Sequence, residues 1–367
     1  MPYTDHTLFS PLVIGDMTLK NRIVMAPLTR NRATHGTDAP NDLMTEYYCQ
    51  RASAGLIITE ATQISQQGQG YAWTPGIYTD AQVAGWKKIT EALHKAGGKV
   101  FMQLWHVGRI SHISLQKDNA APVAPSAIRA NGKTYIENGF ADVSEPRALE
   151  TDEISGIVAD YVKAAQNAMK AGMDGVEIHA ANGYLLDQFM RDGSNKRADI
   201  YGGSIENRIR FTLEVVDAVI DAISSPKVGI RISPVSPAND CHDSDPTSVF
   251  MALTKGLAKR NLAYLHVVEG ATGGPRDTAP FDYAALKTEF NGVYMGNNAY
   301  DRTMALDAVA SSKADLVAFG KPFIANPDLV ERLRENAKFN QPDDKTFYGG
   351  GAEGYTDYPF LQKQAAE

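Results

Sequence analysis

The sequence predicts a closed (β/α)8 barrel, and three observations carry that reading. First, eight short apolar runs recur along the 367 residues. They are Ile23 to Ala26, Leu56 to Thr59, Val100 to Leu104, Val176 to Ile178, Val228 to Ile232, Tyr264 to Val268, Val293 to Met295 and Leu316 to Phe319. Second, these runs are largely apolar rather than alternating, which is the pattern of strands buried on both faces. Third, segments of helical periodicity lie between most of them, and strands that alternate with helices form parallel sheets with right-handed crossovers. Eight such units in a chain of this length suit a closed barrel. An open doubly wound sheet is the competing architecture.

The elements follow in order. Leu12 to Leu19 reads as a hairpin turning at Gly15-Asp16, and it is expected to plug the bottom of the barrel. Helical segments span Ala81 to Ala96, Asp152 to Ala171, Ile205 to Ala222, Pro246 to Lys259, Arg302 to Ser311 and Pro327 to Asn336. Thr151 ahead of Asp152-Glu153 and Ser204 ahead of Glu206-Asn207 are start signals, and Gly97 and Gly172 sit where helices stop. After the third strand comes an excursion over about 107–150. Its segment from Ile128 to Pro146 holds Asn131-Gly132 and Asn138-Gly139 turns around a Thr-Tyr-Ile run, and it should rise from the catalytic face like a lid. No repeat, low-complexity tract or linker interrupts the chain, so residues 1–367 read as a single domain.

Composition narrows the function classes. Hydrophobic residues make up 43% and charged residues 22% of the chain, which is ordinary for a globular protein. A net charge of −7 argues against broad nucleic-acid binding, which needs a dominant positive field. Neither a secretory signal nor a transmembrane helix is expected. The two cysteines, Cys49 and Cys241, lie far apart and outside any metal-binding spacing, which suggests structural thiols in a reducing, cytoplasmic setting.

In a barrel, chemistry gathers where the strands end. Here those ends carry Pro27-Leu28-Thr29-Arg30, Glu60-Ala61-Thr62, Gln103 to His106, His179 to Tyr184, Arg231, His266, Gly296-Asn297-Asn298 and Gly320-Lys321. The last two groups suit phosphate binding by backbone near helix starts. The others are mostly uncharged hydrogen-bonding groups, with Arg30, Glu60 and Arg231 as the charges and Trp105 and Tyr184 as the aromatics, which is a cofactor cradle rather than a hydrolase site. Arg231 in a buried strand needs a partner. The histidines form no HxH or HExxH, so no metal is expected. Gly349 to Gly354 matches GxGxxG by letter but has no βαβ unit around it, and it reads as a chance match.

These stretches resemble the Old Yellow Enzyme family of flavin-dependent ene-reductases. The carriers are NRIVMAPLTR, EYYCQRASAGLIITEATQIS, QLWHVGRISH, HAANGYLLDQF, YGGSIENRIRF and FYGGGAEGYTDYP, and the likeness runs from Leu8 to Pro359. It looks nearest to the bacterial branch that includes N-ethylmaleimide reductase and pentaerythritol tetranitrate reductase. The resemblance implies noncovalent FMN. Pro27, Leu28, Thr29 and Ala61 would line the flavin ring, with Gln103 at the pyrimidine edge and Arg231 near N1 and O2. Gly296, Asn297, Gly320 and Lys321 would meet the phosphate. It further implies that His179 and Asn182 grip a carbonyl or nitro oxygen, that Tyr184 protonates the α-carbon, and that Tyr71, Trp105, Phe281 and Tyr348 form aromatic walls. NADPH or NADH would be the reductant, and enones, maleimides, nitro compounds and nitrate esters the oxidants. A monomer or weak homo-oligomer is expected. Asn182 stands where many bacterial members carry a second histidine and yeast members asparagine, and Lys321 stands where arginine is common. Another FMN barrel dehydrogenase and a non-catalytic flavin-binding redox sensor are the competing functions.

Overall fold

The computed structural model describes residues 7–362. The chain opens on an antiparallel hairpin, β1 (Leu12–Ile14) and β2 (Met17–Leu19), with Leu12 opposite Leu19. Gly15, at φ +52, makes the turn, and a Cβ there would lie 2.1 Å from the carbonyl oxygen of Pro226. Only glycine allows that approach. Ile14 and Leu19 pack with Val24, Leu56, Phe101, Tyr264 and Met295, the inward side chains of the lower barrel. The hairpin is therefore the expected plug.

The next elements are β3 (Ile23–Met25), α1 (Asp42–Gln50), β4 (Leu56–Ile58), the short β5 (Thr62–Gln63), α2 (Asp80–Lys95) and β6 (Val100–Trp105). The excursion holds β7 (Val123–Ala124), β8 (Lys133–Ile136), β9 (Gly139–Asp142) and β10 (Arg147–Ala148). Then follow α3 (Ile154–Lys170), β11 (Gly175–Ala180), α4 (Leu185–Met190), α5 (Ile205–Ile223), β12 (Val228–Ile232), α6 (Pro246–Leu257), β13 (Tyr264–Val268) and α7 (Tyr283–Phe290). The series ends with β14 (Tyr294–Asn297), α8 (Arg302–Ala310), β15 (Leu316–Phe319), α9 (Lys321–Ala325) and α10 (Leu329–Glu335).

The strands β3, β4, β6 and β11 to β15 pair in parallel. β15 returns to β3 with Val317 opposite Ile23, which closes the barrel and excludes the open sheet. Ile23, Met25, Ile57, Met102 and Ile178 point outward into the helix layer. Register aligns Glu177 with Gln103 and Gly229, and His179 with Arg231, which in turn faces His266. The upper half of the barrel interior is therefore polar, which an all-apolar reading of the strands does not anticipate.

Helix ends follow local chemistry. Ser204 caps α5 by accepting from the Asn207 N–H, and Gly97 and Gly172 follow their helices at φ +75 and +83. Thr151 is not the cap it was expected to be. It lies inside a 3-10 turn (Thr151–Glu153) closed by Glu150 and Glu153, and α3 starts at Ile154. In the excursion β8 and β9 form a hairpin, anchored by the Ala72 N–H to the Tyr135 carbonyl at 2.8 Å and by the edge of Tyr135 against Trp73. No helix among the described residues is long and apolar enough to cross a membrane.

Candidate active site

A cavity of about 720 Å³ opens at the C-terminal ends of the barrel strands. Ala26 to Asn31 border it after β3, as does Ala61 beyond β4. Gln103, Trp105, His179, Arg231 and Asn297 enter it from the strands, and Gly320 and Lys321 border it after β15. Asn182, Tyr184, Tyr71 and Tyr348 complete the residues that the sequence brought forward.

Below the cavity lies a buried acid. Glu177 Oε1 accepts from Gln103 Nε2 at 2.7 Å, and Oε2 lies 2.8 Å from His266 Nδ1. The carboxylate fixes which end of the Gln103 amide faces down, because it only accepts. Arg231 donates from Nη2 to Asn297 Oδ1 at 2.8 Å, and Asn297 Nδ2 donates to the Ala318 carbonyl. Arg231 is only 6% exposed, and its Nε has no partner. Burial lowers its pKa and the field of Glu177 opposes that shift. It stays a cation, as arginine does in proteins.

The wall is the turn after β11. His179 Nδ1 accepts from the Ala181 N–H at 3.3 Å, so in the neutral ring Nε2 carries the proton and donates. Burial, then the fields of Arg231 and His266, pushes its pKa well below 6.5, so the ring is neutral at pH 7. Asn182 and Gly183 take φ of +59 and +74, a left-handed pair that asparagine and glycine tolerate. The Asn182 N–H donates to Ser233 Oγ at 2.8 Å, and the Gly183 N–H donates to Asp187 Oδ2 at 2.9 Å. Asp187 in turn pairs with buried Arg191, which donates to the Ser233 and Pro234 carbonyls and ties the turn to the end of β12. Tyr184 lies edge-on to Trp105 at 4.9 Å and to His179 at 5.0 Å, and its hydroxyl is 3.2 Å from that of Tyr71. Burial raises the Tyr184 pKa above 10, so the phenol keeps its proton at neutral pH. Tyr71 stacks on Trp105.

Two of the expected site residues do not reach the cavity. Phe281 packs on Tyr283, at the start of α7, with ring centroids 5.0 Å apart. Gly296 lies one residue below the rim, where a Cβ would stand 2.6 Å from Tyr300 Oη, so the glycine makes room for a tyrosine that does line the cavity. The lining also includes Thr272 and Gly273, from the Val268 to Phe281 loop whose individual sequence suggested a role in substrate range, and residues that the sequence reading did not assign to the site: Lys133, Tyr135 and Phe140 from the hairpin, and Tyr300 and Phe347. Tyr135 belongs to the Thr-Tyr-Ile run and Phe140 follows the Asn138-Gly139 turn, both within the excursion expected to rise from the catalytic face.

The wall carrying Phe347 and Tyr348 is held by Arg30, which donates to the carbonyls of Phe347 at 2.9 Å and Gly354 at 2.8 Å. Tyr355 stacks on Tyr47, with Arg32 over its ring. Glu60 lies next to this clamp, accepting from the Arg30 N–H at 3.4 Å and from the Tyr48 hydroxyl at 3.2 Å. Burial pushes its pKa up to about 7. The glycines from Gly349 to Gly354 belong to the segment that wraps Arg30 and Arg32, with no βαβ unit around them. Among the described residues no cluster of three or more His, Cys, Asp or Glu could hold a metal ion.

Comparison with known proteins decides the family. The model of the NADH:flavin oxidoreductase / NADH oxidase family matches residues 7–340. The chain belongs to this family, that of Old Yellow Enzyme. It is 44% identical to 12-oxophytodienoate reductase 1 of Oryza sativa subsp. japonica over 97% of this chain and 93% of that protein. A solved structure of morphinone reductase in complex with tetrahydroNAD shares 50% identity and a TM-score of 0.93, covering 98% of this chain and 99% of that one. The Old Yellow Enzyme homologue from Zymomonas mobilis shares 46% identity and a TM-score of 0.94, covering 97% of this chain and all of that one.

The cofactor of this Old Yellow Enzyme relative is FMN, and its reductant is a nicotinamide dinucleotide. The floor of the cavity fits FMN on its own chemistry. Arg231 is a buried cation with a free Nε, and its charge suits the electron-rich end of a flavin ring.

Proposed function

We propose that this enzyme uses NAD(P)H to reduce electron-poor C=C bonds, such as those of enones and maleimides, with nitro compounds and nitrate esters as further oxidants. The observation that carries the reading is one wall with three neutral hydrogen-bonding groups facing one cavity: His179 Nε2, the Asn182 amide and the Tyr184 phenol. Relatives named as reductases of an oxophytodienoate and of a morphinone support it.

In this reading Pro27, Leu28, Thr29 and Ala61 line the flavin ring, Gln103 meets its pyrimidine edge and Arg231 lies at N1 and O2. Asn297, Gly320 and Lys321 meet the phosphate, and Gly296 acts by making room for Tyr300. Bound FMN would supply a two-electron carrier between the nicotinamide and the alkene. The protein supplies the rest. His179 and Asn182 donate to the substrate oxygen and stabilise the negative charge that grows there, as an oxyanion hole does. Tyr184 delivers a proton to the α-carbon. Its raised pKa keeps the proton available, and Tyr71 lies within reach of its oxygen. Tyr71, Trp105 and Tyr348 confine the substrate.

The test is a visible spectrum of the purified protein, followed without oxygen through addition of NADPH and then 2-cyclohexenone. A flavin spectrum that bleaches with NADPH and returns with the enone is expected. A flavin that bleaches but ignores the enone would overturn the substrate class, and a protein that takes up no FMN would overturn the site.

A further inference from the structure

A side-chain amide can present either a donor or an acceptor to a cavity, because a 180° flip exchanges its oxygen and nitrogen. Asn182 works as an oxygen-gripping donor only with Nδ2 inward. A histidine at this position would make that choice through its tautomer, whereas asparagine makes it through its flip, and a neighbouring group can set it.

The loop after β13 supplies the means. Thr272 Oγ1 lies 2.6 Å from Asn182 Oδ1, and Ser236 Oγ lies 2.9 Å from Thr272 Oγ1. The Thr272 N–H donates to Ser236 Oγ at 3.1 Å. These bonds form one directed chain, from the Thr272 N–H to the Ser236 hydroxyl, to the Thr272 hydroxyl, to Asn182 Oδ1. Every proton in it has an acceptor. With the amide flipped, Nδ2 would donate to Thr272 Oγ1, which can still accept from Ser236, and the Thr272 proton would turn to the cavity that its exposed side chain lines. The flip with Nδ2 inward is the one that keeps that proton in the short bond to Asn182 Oδ1.

The loop is built to hold Thr272 in place. The Ala271 N–H donates to the Pro275 carbonyl and the Gly274 N–H to the Ala271 carbonyl, both at 2.9 Å. Arg276 pairs with Glu269 and donates to the Asn298 carbonyl. The backbone of Asn182 is fixed separately, by Ser233 at its N–H and by Asn239 at its carbonyl. What remains free is the amide torsion, and Thr272 is the side chain that sets it.

We propose that Thr272, backed by Ser236, is a positioning residue that locks the Asn182 amide with its donor in the cavity and so selects ligands that present an acceptor oxygen. This rests on the reading of Asn182 as a donor to substrate oxygen. It makes the loop after β13 a determinant of ligand polarity without contact with the reacting atoms.

The test is a double-mutant cycle read by phenol binding to the oxidised holoenzyme, followed as the change in flavin absorbance. Phenol needs no turnover, so an enzyme inactive on enones would refute the proposed reaction and leave this experiment intact. Thr272→Val should weaken phenol binding about tenfold, the scale of one misoriented hydrogen bond. Thr272→Ser should restore it. In an Asn182→Ala background, Thr272→Val should have no further effect. Equal losses in both backgrounds would show that the threonine only supports the loop, and would overturn the proposal. So would unchanged binding in Thr272→Val, or no phenol binding by the wild-type holoenzyme. FMN content and thermal midpoint of each variant identify any that fails to fold, and Ser236→Ala, expected to shift phenol binding in the same direction, then carries the cycle.

Discussion

Glu60→Gln replaces a buried acid with its neutral isostere, and its effect on stability should depend on pH. Burial raises Glu60 from 4.5 to about 7, against the Arg30 N–H, the field of Arg30 and the Tyr48 hydroxyl. Between those values the folded protein holds a proton that the unfolded chain has lost. The acid's contribution is therefore fully present below 4.5 and is lost as pH rises through about 7. At 1.36 kcal/mol per pH unit, the full loss is about 3 kcal/mol, most of it between pH 5 and pH 8. The group is fully buried, so solvent screening takes little from this figure. Glutamine does not titrate. The variant's advantage over wild type should grow by about 2–3 kcal/mol from pH 5 to pH 8. Urea unfolding of both proteins at pH 5, 6, 7 and 8, with FMN in excess, measures the difference. A variant with the wild-type pH slope would refute the reasoning, because the slope would then belong to other groups.

Three further outcomes are expected. Tyr184→Phe should keep reduction of the flavin by NADPH and slow the alkene half-reaction by about 10²–10⁴-fold, the usual worth of a general acid; stopped-flow traces showing normal alkene reduction would remove Tyr184 from the proton-donor role. Arg231→Leu should weaken FMN binding by about 10–100-fold, since hydrogen bonds to a charged group are worth about 1.5–3 kcal/mol. Recovery of flavin fluorescence on dilution measures this, and unchanged affinity would exclude a contact with the flavin. Phe281→Ala should leave KM for 2-cyclohexenone unaltered, because the ring packs on Tyr283 outside the cavity; a raised KM would return it to the site.

The barrel was legible because its strands are unusually plain. Val228–Ile232, Tyr264–Val268 and Leu316–Phe319 begin and end where the apolar runs do. β3 and β4 lose a residue and β6 gains Trp105, and two other boundaries moved where polar side chains point inward. The run from Val176 to Ile178 extends to Ala180, so His179 belongs to the strand and not to the turn. The run from Val293 to Met295 becomes Tyr294–Asn297, which places Asn297 at the strand end. Helices α1, α4, α7 and α9 escaped, and length alone does not account for it, since α8 and α10 are as short and were expected. The cavity lining was legible wherever a residue follows a barrel strand, as Pro27 to Thr29, Ala61 and Lys321 do. It was illegible residue by residue where a distant segment folds over the rim. Lys133, Tyr135, Phe140 and Thr272 arrive that way, and Phe281, expected among the walls, packs outside the cavity. No local pattern reports which side of a loop meets the cavity.

Closure of the barrel through β15 and β3 also orders events in time. β3 emerges early from the ribosome, but the edge that β15 will cover stays open until residue 319 has been made. An open strand edge invites pairing with other chains. Arg30 waits longer still, since the carbonyls that take its guanidinium lie at Thr346, Phe347 and Gly354. Contacts of such sequence separation form slowly. A nascent chain thus carries an unpaired edge and an unhoused cation through most of its synthesis, the condition in which partly made proteins associate and need a chaperone. The cavity itself joins Pro27 from the first barrel strand's end to Lys321 from the last. The cavity comes into existence only once the ring is complete, so FMN has no whole site to enter until Lys321 has been made.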